Sequence, residues 1–319
     1  MNIGKLTKSL LILTLAFSFA LAGCANGGKE KKTVKIGYLP ITHAVPLYFE
    51  NDAAKEGKLA FNLELIKFGS WQDLSNALNA GRVDGASLPI LLAMRAKEQG
   101  IDLKAVALGH RDGNVLMVAN DIQSVADLRG KTYAIPSKFS THNILLYLML
   151  KKAGLPYSDI NPVEMAPASM PASLATGKVS GYVVAEPFGA LGVHMGKGKV
   201  IYQDKDVWPN SIDCALVLRG DFLAESPDTA QQFVTEYVKA GEAAEKKDEE
   251  TDKVAQSYMK VDKDVLNLSL KWISYGDLRV NEDSYDELRQ YVIEMGLSDN
   301  PPAYADFVDN SLYDNALKK

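Results

Sequence analysis

Strand-like and helix-like segments alternate through roughly the first 200 residues of this chain, and no other feature restricts its fold as severely. VKIGYLP is a short apolar run ending at Pro40, and HAVPLYFENDAAKEG follows it with Pro46 where a first helical turn accepts proline. NLELIKF alternates with period two, while WQDLSNALNAG has helical spacing and stops at Gly81. VDGASLP and LKAVALG flank the helical PILLAMRAKEQG. Next come NVLMVAND, DLRGKTYAIP, a helix over Thr141–Gly154, INPVEMAP, a short helix to Gly177 and the strand VSGYVVAEP. Strands joined through helices form parallel pairs, because a tight hairpin can link only antiparallel neighbours. The expected class is α/β, with doubly wound sheets. The last 100 or so residues differ: SPDTAQQFVTEYVKAGEAAEKKDEE and VLNLSLKWISYG read as long polar helices without strand signals.

Leu78-Asn79-Ala80-Gly81-Arg82-Val83-Asp84-Gly85 is echoed by Leu174-Ala175-Thr176-Gly177-Lys178-Val179-Ser180-Gly181, each a helix end, a glycine stop and a strand start. The echo predicts two similar α/β lobes. Each strand then runs into a proline, Pro89 or Pro187, at the C-terminal strand ends where open α/β sheets hold ligands. Positions of that kind collect Thr42, His43, Ser70, Trp71, Ser87, His110, Asn114, Ser140, Thr141, His142 and Glu186. Three of the four histidines fall in this set; His194 does not. IPSKFSTHN, Ile135–Asn143, is the densest stretch. Its Ser and Thr suit a helix N-cap, and the same helix start, with His142 beside it, suits an anion.

The ordinary alternatives stay open at each position. Trp71 suits a core as well as a pocket wall, His43 and His110 suit loops, and Glu186 suits a cap on the helix after Pro187. Cys214 suits a small buried apolar group.

MNIGKLTKSLLILTLAFSFALAGC has a basic start at Lys5 and Lys8, an apolar stretch over Leu10–Leu21 and small residues before Cys24. This is the pattern of an export leader over residues 1–23, too short for a span, with Cys24 as the acylated residue of a lipoprotein and 24–32 as a polar tether. With Cys24 acylated, Cys214 has no disulfide partner in the chain. The formal charge is −5, without a basic run, which argues against nucleic acid.

The order of elements, the paired glycine junctions, LMVANDIQSVADLRGKTYAIPS and AEPF together resemble the periplasmic substrate-binding proteins of ABC importers. Within them the chain is similar to the group serving nitrate, bicarbonate, taurine, alkanesulfonates and thiamine-precursor pyrimidines (NMT1-like), from Thr33 onward and including the lipobox. The resemblance implies a periplasmic binding protein type 2 fold, two lobes closing over a solute by hinge motion. The crossovers are expected at Asn114–Asn120 and Cys214–Asp221. Lobe 1 then covers 33–118 with 217–319, and lobe 2 covers 119–216. It also implies ligand contacts at Trp71 in GSWQDL, at His142 in FSTHN and at Asn114. The anion-facing lysine of nitrate-binding members falls at or beside Cys214, where this chain has Asp213 and Cys214, which counts against nitrate.

The expected function is a lipid-anchored, extracytoplasmic and monomeric receptor that hands a small solute to a membrane permease and its ATPase. The solute is an anion or zwitterion of the sulfonate or taurine kind, ahead of nitrate or bicarbonate, with a pyrimidine as another option. Trp71 walls the cleft, Thr42, Ser70, Ser87 and Asn114 donate hydrogen bonds, and Ser140–His142 receive the anionic group. No cofactor or metal is assigned. One competing reading is a metal-binding lipoprotein, since His43, His110, His142, Glu186 and Cys214 are ligand-type residues that one cleft could gather. The other is an enzyme like the fungal pyrimidine synthase on the same fold. That enzyme's cysteine-rich motif is missing here, as are G-x-S-x-G, H-E-x-x-H, Walker and G-x-G-x-x-G patterns.

Overall fold

The computed structural model describes residues 31–318. Cys24, the expected leader and most of the expected tether lie outside the described residues.

Twelve strands follow in chain order: β1 Thr33–Tyr38, β2 Asn62–Lys67, β3 Gly85–Pro89, β4 Leu103–Leu108, β5 Arg111–Asp112, β6 Asn114–Ala119, β7 Thr132–Ile135, β8 Asn161–Glu164, β9 Gly181–Ala185, β10 Gly198–Gln203, β11 Cys214–Arg219 and β12 Ile273–Ser274. They build two five-stranded sheets, ordered β2-β1-β3-β11-β4 and β10-β6-β9-β7-β8, and a small ribbon of β12 with β5. Read from their parallel edges, the two large sheets share one topology. In each, three parallel strands (β2-β1-β3, β8-β7-β9) are followed by an antiparallel strand (β11, β6) and then by one antiparallel to it (β4, β10).

The glycine echo maps onto this symmetry. Gly85 and Gly181 begin β3 and β9, the middle strands of their sheets. A Cβ on Gly85 would stand 2.6 Å from the Val217 carbonyl oxygen, and one on Gly181 2.5 Å from that of Met117. Both glycines therefore let a neighbouring strand come close. Gly81 and Gly177, at φ +67° and +70°, end the preceding helices in the left-handed conformation. β3 and β9 are buried along their whole length, while β2, at an edge, alternates from Asn62 to Leu65 as its period-two sequence requires and breaks the alternation at Ile66.

The two segments expected as crossovers are sheet strands. β6 pairs with β9 and β10 in the second sheet, and β11 pairs with β3 and β4 in the first. The chain passes between sheets at 109–113 and 204–213, so the expected lobe limits at 118/119 and 216/217 fall inside β6 and β11. Three strands, β5, β10 and β12, escape a reading by periodicity. β10 begins at a glycine whose Cβ would stand 2.4 Å from Leu174, and β12 directly continues the helix Lys263–Trp272.

The C-terminal segments return to the first sheet. Leu108 donates its N–H to the Leu278 carbonyl at 2.7 Å, Tyr237 donates its hydroxyl to the Leu108 carbonyl at 3.1 Å, and Asp309 donates its N–H to Ala105 at 2.9 Å. The long helix Pro227–Glu245 packs beside Val45–Lys55 and buries Phe233 against Phe61, ring centroids 6.0 Å apart.

Candidate functional site

Three histidines and an aspartate converge where the two sheets face each other. His43 lies in the 3₁₀ turn after β1, His110 just past β4, and His142 in the first turn of the helix Thr141–Lys152 after β7. Asp213 and Cys214 stand at the start of β11. Because β11 runs antiparallel, with Cys214 opposite Pro89 and Ala215 opposite Leu108, its start lies at the edge where β3 and β4 finish. Open α/β sheets place ligands at that edge.

Asp213 is the hub. One carboxylate oxygen, Oδ2, lies 3.4 Å from His43 Nδ1 and 3.6 Å from His110 Nε2, and Oδ1 lies 3.5 Å from His142 Nδ1. The Cys214 sulfur is 3.3 Å from His43 Nδ1 and 3.7 Å from Asp213 Oδ2. The His43 and His110 rings stack, with centroids 3.3 Å apart and planes 25° from parallel. All five residues are buried, none more than 3% exposed. His110 Nδ1 faces the Asp112 carbonyl, which can only accept, so that nitrogen carries the hydrogen. In the neutral ring, His110 Nε2 is then a lone pair directed at a carboxylate.

Burial pushes His43 well down, aided by His110, and pushes His142 down as well, each against the pull of Asp213. Burial alone would push the Asp213 carboxyl up, but the imidazoles, His142 foremost, outweigh it and hold it below the usual carboxylate range. Burial, then Asp213, pushes the Cys214 thiol well up. The centre thus pairs a carboxylate with rings that resist the proton that would neutralise it. His43 Nε2, His110 Nε2, both nitrogens of His142 and Asp213 Oδ1 are buried without hydrogen-bond partners. Such a set can accept a cation.

The other expected residues divide into supports and outliers. Thr42 donates both its N–H and its hydroxyl to the Glu186 carbonyl, each at 3.0 Å, and so ties the turn bearing His43 to the end of β9. Glu186 Oε2 accepts from the Ala190 N–H at 3.0 Å and the Ser269 hydroxyl at 2.9 Å, so the side chain caps the helix Phe188–His194. Burial raises its pKa to about 8. Asn114, at the start of β6, donates twice to Asp204 Oδ2 at 3.2 Å, and burial raises the Asp204 carboxyl to about 7.

Ser140 caps the helix bearing His142 and donates its hydroxyl to the Ser137 carbonyl at 2.7 Å; Thr141 donates its own to the Ile212 carbonyl at 2.6 Å. Both hydroxyl hydrogens expected to meet an anion are therefore engaged with backbone, and Thr141 instead positions the strand start that bears Asp213. Ser70 caps the helix Trp71–Asn79, and Trp71 is buried with its indole N–H unpartnered. Ser87 is buried in β3 opposite Leu216. None of these three touches the histidine cluster through a hydrogen bond or ion pair. Asp213 and Asp204 were not among the expected ligand residues. Asp213 carried one sequence signal, its place at the departure from the lysine pattern. Asp204 carried none, since β10 before it was not read as a strand. A cavity of about 660 Å³ lies elsewhere, between Ile135, Tyr147, Tyr157 and Met295.

Two like sheets with ligand-type side chains gathered at their facing strand ends define the periplasmic binding protein fold. A solved structure described as the ligand-binding component of an ABC-type import system from Staphylococcus aureus, with zinc bound, is 41% identical, with a TM-score of 0.86 over 90% of this chain and 99% of that one. The periplasmic nitrate-binding protein NrtA of Synechocystis PCC 6803 shares the fold at 17% identity, with a TM-score of 0.81 over 91% of this chain and 89% of that one. Residues 27–259 match the NMT1-like family, and the chain belongs to it. Among curated relatives, the nitrate import ATP-binding protein NrtC of Synechocystis is 27% identical over 71% of this chain, which spans only 36% of that protein's length.

Proposed function

We propose that the chain is the extracytoplasmic solute-binding component of an ABC importer, acting by capture and delivery to a permease and its ATPase and catalysing no reaction. The observation that carries this reading is the convergence of buried, unpartnered polar atoms from both sheets on one point: His43 and His110 from the first, His142 from the second, and Asp213 from the segment joining them. A protein that only needed a stable core would leave few such atoms. The relatives' roles in import agree with it. The lipid anchor at Cys24, the membrane-attached location and the monomeric state belong to the same proposal.

The small anion or zwitterion expected from the sequence draws support from the nitrate-related relatives. Such a solute must keep its negative end away from Asp213 or meet protonated histidines, since among the described residues no Lys or Arg pairs with Asp213. The reading is tested by small-angle scattering on the chain with and without each of taurine, an alkanesulfonate, nitrate and zinc. A member of the panel that binds should compact the protein by closing the sheets on each other. Binding without compaction, from an open unliganded form, would sink the hinge mechanism.

A further inference from the structure

We propose that the seat between the sheets is a transition-metal site, with His43, His110, Asp213 and Cys214 as four ligands for a borderline divalent cation such as zinc, and His142 facing the second oxygen of Asp213. This rests on the receptor reading and replaces the small anion or zwitterion expected from the sequence with a cation as its solute.

The first support is spacing. The four ligand atoms all lie within 4.8 Å of one another. The resolved edges of the polyhedron are 3.3, 3.4, 3.6 and 3.7 Å. A tetrahedron whose ligands stand at about 2.0–2.3 Å from zinc has edges of roughly 3.3–3.8 Å. These atoms are thus already at coordination distance from one another, and the two nitrogen–oxygen pairs, at 3.4 and 3.6 Å, are too long for good direct hydrogen bonds.

The second support is orientation. His110 spends its Nδ1 hydrogen on the Asp112 carbonyl, which in the neutral ring leaves Nε2 as a lone pair facing Asp213. A ring nitrogen fixed by a backbone carbonyl is how metal-ligating histidines are held in the right tautomer. Two acceptors opposed in a buried site need a proton or a metal cation between them, and among the described residues neither Lys nor Arg pairs with Asp213.

The third support is charge. Two neutral imidazoles, one carboxylate and one thiolate balance a divalent ion, so the loaded centre is neutral where it is buried. The unloaded thiol carries its proton, so binding forms a metal–sulfur bond and releases that proton to solvent. Mixed nitrogen, sulfur and carboxylate ligands suit zinc or cobalt and not calcium or magnesium.

The test uses the purified chain, stripped with a chelator and dialysed. Zinc alone should bind at one ion per chain, raise the melting temperature and release about one proton, read by calorimetry in buffers of differing ionisation enthalpy. Cobalt(II) should give an intense tetrahedral spectrum with a sulfur charge-transfer band, a readout that needs no variant. Asp213→Asn and His110→Ala, if cooperatively folded, should each weaken zinc at least about tenfold, and Cys214→Ser should abolish the charge-transfer band while keeping the fold. No zinc retention and no cobalt band in the wild type overturns the proposal. Undiminished zinc affinity in the folded variants also overturns it, because the ion then sits elsewhere. Failure here together with compaction by a sulfonate or nitrate would leave the receptor reading standing; failure here with no solute of the panel bound would remove that reading as well.

Discussion

Replacing Glu186 by Gln should stabilise the protein at neutral and alkaline pH. The side chain is fully buried, its Oε2 accepts two hydrogen bonds, and its Oε1 has none. Burial lifts the carboxyl from its ordinary 4.5 to about 8, so at pH 7 the folded protein holds a proton that the unfolded chain has released. An acid with a raised folded pKa contributes stability that is fully present below its unfolded value and is lost as pH climbs to its folded value. Each pH unit in that window is worth 1.36 kcal/mol, so the loss amounts to about 3 kcal/mol by pH 7. Glutamine keeps an oxygen for Ala190 and Ser269 and never ionises. Urea unfolding of both proteins in steps from about pH 5 to pH 8 should show Gln gaining on Glu at a slope approaching 1.4 kcal/mol per unit, levelling above pH 8. The histidine cluster titrates in both proteins and cancels in the difference. Parallel stability curves would refute the argument, since they would mean that Glu186 is ionised in the folded state or equally protonated in both states.

Three further outcomes follow from packing and from the N-terminal motif. Gly181→Ala, which drives a Cβ to 2.5 Å from the Met117 carbonyl oxygen, should cost at least about 1–3 kcal/mol in urea unfolding. Gly177→Ala, in open space at φ +70°, should cost only about 1–2; equal losses would remove the close-approach argument. Thr141→Val should lose about 1–3 kcal/mol by stranding the Ile212 carbonyl, and Thr141→Ser should recover most of it; a Val variant as stable as wild type would show that bond to be dispensable. Cys24→Ala in the full-length chain should free it from membranes with its melting temperature unchanged, and persistent membrane association would count against the acylation pattern.

The fold was legible where local chemistry and tertiary context agree. The parallel strands, the proline that ends β3, the proline past β9 and the left-handed Gly81 and Gly177 follow from residue-by-residue rules. β6 and β11 were legible as strands but not as members of particular sheets. Apart from Asn114 at the start of β6 and Arg219 at the end of β11 each is an apolar run, and a run buried on both faces carries no mark of its neighbours. That is why the crossovers were displaced onto them. β5 and β12, of two residues each, are too short for any period and exist only because the tail folds back over the first sheet.

The site was legible in its histidines and not in its hub. His43, His110 and His142 stand out because histidine is scarce in this chain and because each follows a strand, so topology alone brings them to one edge. Asp213 has no such mark. An aspartate before a strand normally faces water, and it becomes the centre only because β11 runs antiparallel and so presents its first residues where β3 and β4 present their last. The same inversion changes the chemistry. Read as a local sequence, Ser140, Thr141 and His142 offer donors at a helix start, which favours an anion. In the folded chain the two hydroxyls bond to carbonyls, and His142 faces a carboxylate brought from 71 residues away by the helix anchor on Ile212. A helix start can be read from four consecutive residues. The sign of the charge it faces depends on which strand arrives opposite, and that is set by the pairing of β11 rather than by anything in the stretch itself.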